Sequence, residues 1–137
     1  MIKLLIVGHD KSRISESFIQ AHVDYLPAEV AAVNGQLAEF NGIPVLSGTV
    51  IARATRKLIR HAQRKPWEWE ITLSYMKAIR RHRPDVVLAE YGPNGVRVLD
   101  ACRRLNVPLV VHFHGYDASV RSVLEEYRQG YQELFRH

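Results

Sequence analysis

Residues 84–114 read PDVVLAEYGPNGVRVLDACRRLNVPLVVHFH, and the order of elements in this stretch decides the fold. Val86 to Ala89 is an apolar run of the kind buried on both faces of a parallel sheet. It gives way to the turn-rich Glu90-Tyr91-Gly92-Pro93-Asn94, then to a helical pattern reaching about Leu105. Pro108 introduces the most apolar run of the chain, Leu109 to Phe113, which stops at His114-Gly115-Tyr116-Asp117. Two buried strands joined through one helix make a parallel pair, and such a crossover is right-handed.

The same pattern extends outward in both directions. Ile2 to Val7 is a third buried strand, ending at Gly8. After a polar loop, Ser15 is a candidate N-cap for a helix to about Leu26, in which Phe18, His22 and Leu26 share a face with Ile19 and Val23 before Pro27 ends it. Glu29 to Val33 is another strand. Asn41-Gly42, between Leu37–Phe40 and Ile43–Leu46, predicts a type I′ hairpin, with Pro44 restricting the second arm to a sheet edge. From Thr49 to Arg64 the stripe Ile51, Ala54, Leu58, Ile59 and Ala62 predicts an amphipathic helix. Pro66 breaks it, and a second basic helix runs to about His82, before Pro84. Ala118 to His137 is helical in pattern, with a break expected near Gly130. Strands alternating with helices specify a single, doubly wound α/β domain with a parallel sheet. Ligands of such sheets bind beyond the carboxyl ends of the strands, where Gly8 to Ser15, Glu90 to Asn94 and His114 to Asp117 emerge.

Composition narrows the function classes. The 137 residues are 47% hydrophobic and 24% charged, as in ordinary globular domains. A lone cysteine, Cys102, excludes an internal disulfide and any Cys-rich metal site, and fits a reducing compartment. No apolar run has the length of a membrane span or of a signal-peptide core, so a cytoplasmic protein is expected.

The net charge of +5 is concentrated between Arg53 and Arg83, which holds ten Lys/Arg against Glu68 and Glu70. Two readings of its first half stand open. The helix either buries its stripe against the sheet and solvates its arginines, or lies on an anionic membrane through Arg53, Arg56, Lys57, Arg60, Arg64 and Lys65, with Trp67 and Trp69 beside them. No nucleic-acid partner is expected.

Gly8-His9-Asp10-Lys11-Ser12 has one glycine, so it is neither a dinucleotide turn nor a Walker A loop. The G-x-S-x-G elbow is absent, and the closeness in sequence of His114, Asp117 and Ser119 is not the geometry of a triad. His112 and His114 lie two apart in a strand, which aims both imidazoles at one sheet face; with Asp117 they would begin a metal site for a small hydrolase. Two ligands do not complete one, and no metal or other cofactor is expected.

Val110-Val111-His112-Phe113-His114-Gly115-Tyr116-Asp117-Ala118-Ser119 closely resembles the PLVVTFHGYDAS signature in the N-terminal domains of family 4 retaining glycosyltransferases. Ser15 to Ile19 resembles that family's SETFI element, and Pro84 to Gly92 its PDVVHAEYG strand and loop. The motifs occur in the family's order, with one departure inside the first: His112 stands where the quoted pattern has threonine.

This resemblance implies the N-terminal, acceptor-binding, Rossmann-like half of a GT-B architecture, spanning residues 1–137. The nucleotide-sugar would be bound mainly by a C-terminal half outside this chain, leaving the fragment inactive alone; the alternative is a non-catalytic glycan- or anionic-membrane-binding domain. Further strands of the N-terminal domain would lie outside it too, exposing a sheet edge open to self-association. It implies hexose transfer to a glycan or lipid-linked acceptor in polysaccharide or cell-envelope assembly, at the cytoplasmic face of a membrane. His114 matches the histidine facing the donor sugar, so it is the expected catalytic residue. Gly8, Lys11, Arg13, Gly115 and Asp117 would line the donor side of the cleft, and Glu16, Glu90, Tyr91 and Asn94 the acceptor side.

Overall fold

The computed structural model describes residues 1–8, 17–46 and 48–136, without the side chain of Ser17. The chain runs β1 (Lys3–Val7), α1 (Ser17–Tyr25), β2 (Glu29–Val33), β3 (Glu39–Phe40), β4 (Ile43–Pro44), α2 (Val50–Ala62), α3 (Glu68–His82), β5 (Val86–Glu90), α4 (Gly92–Leu105), β6 (Leu109–His112), α5 (Gly115–Ser119), α6 (Arg121–Glu126) and α7 (Arg128–Leu134). Four strands form one sheet in the order β2-β1-β5-β6. All three pairings are parallel, with Val7 opposite both Val33 and Ala89 and Glu90 opposite His112.

Alternation along β1 sends side chains to both faces of the sheet. Leu5 and Val7 join Tyr75 and Ile79 of α3 and Val98 and Ala101 of α4 in the larger core. Leu4 and Ile6 pack with Ile19 of α1 on the opposite face. Helices therefore cover both faces, and the domain is the Rossmann-like α/β fold expected.

Asn41 and Gly42 both take positive φ, at 51° and 77°, as a type I′ turn requires. The β3–β4 hairpin they join forms its own two-stranded sheet, shorter than the sequence suggested. In the C-terminal region the helical run breaks at Val120 and Tyr127 rather than near Gly130. Gly130 lies within α7 because a Cβ there would come 2.6 Å from Val96 Cγ1 of α4, so the missing side chain serves close helix packing.

Of the two readings of α2, burial of its stripe against the sheet is the one that fails. Thr49 caps α2 as a start signal should, its hydroxyl accepting from the Ala52 amide, yet the helix buries no residue at all. Ile51 is 80% exposed and Leu58 67%, so its stripe is not packed on the sheet. Polar contacts hold it instead. Arg60 and Arg56 reach the buried Glu70 of α3 at 3.3 and 3.9 Å, and the Arg60 guanidinium sits 5.3 Å from the centre of the Trp67 ring.

Candidate functional site

In a sheet of this order, β1 connects outward to β2 while β5 connects to β6, which opens a crevice beyond the carboxyl ends of β1 and β5. Gly8 closes β1 there, with φ at 102° and its amide bonded to the Val33 carbonyl. A Cβ on Gly8 would fall 2.2 Å from Asn94 Nδ2, so glycine lets the end of β1 meet the first turn of α4. Asn94 in turn donates to the Glu90 carbonyl at 2.7 Å and accepts from Arg97.

Glu90, the last residue of β5, is fully buried and surrounded by histidines. Its Oε1 lies 2.6 Å from His22 Nδ1, and its Oε2 lies 3.0 Å from His112 Nδ1 and 2.9 Å from His114 Nε2. A carboxylate in its charged form only accepts, so it would take the hydrogen of each imidazole nitrogen that faces it. His22 comes from α1, His112 from β6 and His114 from the loop after it. The register that sets Glu90 opposite His112 brings the two strand ends together. Phe18 and Tyr91 enclose His114, with ring centres at 4.5 and 4.3 Å. Tyr91 does so at φ 73°, an unusual conformation for a bulky residue.

Asp117 is buried, and its carboxylate is bonded to backbone amides rather than to the imidazoles. One oxygen accepts the His114 amide at 2.7 Å and the other the Gly92 amide at 2.5 Å. A carboxylate at the first turn of α4 complements the positive end of that helix. Its oxygens hold the loop after β6 on the start of α4, and the carboxylate among the histidines is Glu90. This corrects the metal trio drawn from sequence: His112 and His114 are neighbours, with ring centres 4.2 Å apart, but Asp117 is not their partner. A Cβ on Gly115 would meet nothing within 4 Å, so Gly115 borders open space beside the cluster.

Profile comparison matches Glycosyltransferase Family 4 over residues 26–137. The chain belongs to glycosyltransferase family 4. What it carries is an N-terminal domain of that family, and the strand ends described above lie within the matched span except for β1 and α1. No curated protein and no solved structure matches the chain.

On this family 4 domain, Tyr91, Asn94, Gly8, His114 and Gly115 lie at the strand ends, whereas Glu90 and Asp117, expected to line the acceptor and donor sides, are fully buried with their carboxylates taken up by the histidines and by two amides. Lys11, Arg13 and Glu16 lie outside the described residues. The basic set is divided between two surroundings. Arg53, Lys57, Arg64, Lys65 and Trp67 are exposed, while Arg56 and Arg60 pair with Glu70. Trp69 is half-buried and lines a groove with Met76 of α3 and Arg104 of α4, apart from Trp67. A cavity of about 540 Å³ between α4, β6 and α7 sits at the opposite, amino end of β6, among Cys102, Val107 and Leu134.

His22 joins the Glu90 cluster although the sequence does not single it out as a candidate site residue. The sequence puts it on the apolar face of the first helix, and a polar ring on that face is the available signal. Its partner lies 68 residues away, so no local pattern pairs them.

Proposed function

We propose that this domain is the acceptor-binding half of a retaining hexosyltransferase, which moves a hexose from a nucleotide-sugar to a glycan or lipid-linked acceptor in polysaccharide or cell-envelope assembly. The observation that carries this reading is His114. It is held at the carboxyl edge of the sheet by Glu90, flanked by Phe18 and Tyr91, and followed by a glycine that leaves the approach open.

Retaining transfer develops positive charge on the sugar ring and negative charge on the departing diphosphate. Fixed dipoles assist such a reaction more than a mobile acid does. The Asp117 carboxylate already engages the His114 amide and Glu90 its imidazole, so it is the open side at Gly115, beside the fixed ring, that is left to meet a hexose. Glu90 fixes the Nε2 edge of that imidazole.

The exposed stripe of α2 supports peripheral docking on an anionic membrane, which would bring a lipid-linked acceptor to the crevice. No helix among the described residues is long and apolar enough to cross a membrane. Exposed Ile51, Leu58 and Trp67 would enter the interface while Arg53, Lys57, Arg64 and Lys65 meet lipid phosphates.

The test is His114→Ala in a full-length enzyme containing this domain, assayed with a panel of nucleotide-hexoses. A large fall in kcat/KM with an unchanged unfolding midpoint is expected, and unchanged turnover overturns the role of His114. Flotation with anionic and neutral vesicles tests docking: anionic vesicles should carry the protein at low salt, and equal recovery with both kinds rejects it.

A further inference from the structure

We propose that His22, Glu90 and His112 form a binding site for a divalent transition-metal ion of the zinc class. The inference rests on the side-chain cluster alone and stands independently of the glycosyl-transfer reading.

One ligand atom from each of His22, Glu90 and His112 falls within a sphere where every pair lies 4.8 Å or less apart. Donors around one tetrahedral zinc, with bonds of about 2.0–2.2 Å, stand about 3.4 Å from one another. The hydrogen bonds of 2.6 and 3.0 Å from the two imidazoles to Glu90 are slightly tighter than that spacing, as in a site closed on itself without an ion. An ion entering between them replaces each N–H···O contact with a nitrogen–metal and an oxygen–metal bond. An imidazole in its neutral form can carry its hydrogen on the ring nitrogen opposite the metal, so such a ring ligates without losing a proton.

Charge supports the same assignment. Glu90 is fully buried, and among the described residues no lysine or arginine pairs with it. A buried carboxylate calls for a counter-charge or strong donors, and two borderline nitrogen ligands beside it select zinc, cobalt or nickel over calcium or magnesium. Access is available from the histidine side, since the His22 side chain is 31% exposed and that of His112 47%.

The probe is the 137-residue chain stripped with chelator and titrated with zinc by calorimetry and with cobalt by visible absorption. One ion per chain and a cobalt ligand-field band are expected, with zinc raising the unfolding temperature. His22→Gln and His112→Thr should each weaken binding by at least about 10–100-fold, the range already seen for loss of mere outer-sphere partners. Both side chains are partly exposed, and unfolding in chelator will show that the variants fold. His61→Gln, on α2, should bind as the parent does. Absence of saturable binding overturns the proposal, as does binding that survives both His22→Gln and His112→Thr. Because the readout is metal occupancy, neither outcome depends on transferase activity.

Discussion

Asp117 holds Gly92 across 25 residues of sequence: its buried carboxylate accepts the amide that opens α4, while its other oxygen secures His114. Removing the carboxylate leaves two amides without their acceptor. Asp117→Ala is therefore expected to cost about 2–4 kcal/mol in denaturant unfolding, with Asp117→Asn intermediate because its amide group offers one accepting oxygen. Equal stability of Asp117→Ala and the parent would contradict the clamp.

Gly92 and Gly115 should respond oppositely to the same change. A Cβ on Gly92 would lie 2.4 Å from Phe113 Cε1 and 2.6 Å from the Tyr131 hydroxyl, whereas one on Gly115 meets nothing. Gly92→Ala is expected to destabilise by about 1–3 kcal/mol through overpacking. Gly115→Ala should leave the unfolding midpoint in place, and any loss should appear in KM for the nucleotide-hexose.

Alkaline stability should follow Cys102. Burial pushes this thiol from its ordinary 9.0 up to about 12, so the fold keeps it protonated where the unfolded chain has lost the proton. Above pH 9 the unfolded state binds fewer protons than the native state, and stability falls as pH rises until about 12. The expected slope from this group is about 1.4 kcal/mol per pH unit. Burial pushes Tyr131 up to about 12 as well, from 10.0, so its share begins later. Denaturant titrations of Cys102→Ala should show a shallower loss between pH 9 and 10 than the parent, whatever the absolute stabilities.

The exposed stripe of α2 contributes little to folding. Ile51→Ser combined with Leu58→Ser should alter stability by no more than about 0.5 kcal/mol per site, since neither side chain is buried. The same pair should reduce recovery on anionic vesicles. A large drop in unfolding midpoint would mean that the stripe packs within the protein.

Much of this was legible in the sequence because it is local. The apolar runs at Ile2–Val7, Val86–Ala89 and Leu109–Phe113 marked the central strands, and Asn41-Gly42 marked the hairpin through a conformational demand of the turn itself. Where a residue's role depends on a distant partner, the pattern misled. Gly130 reads as a helix breaker until Val96 is seen against it, and the α2 stripe leaves burial and membrane docking both open until Ile51 and Leu58 are found exposed. Glu90 and His114 were recognisable singly, from the motifs around them. Their contact was not, nor was the inward turn of Asp117, since both depend on strand register.

The histidine cluster also bears on how the chain folds. Glu90 meets His22 across 68 residues and His112 across 22, so the two contacts close loops of very different length. Long-range closure is the slow part of forming a sheet of this kind. The imidazole resonances of His112 should thus reach native positions once β5 and β6 pair, and those of His22 only after the N-terminal crossover has docked, giving two clocks on one carboxylate.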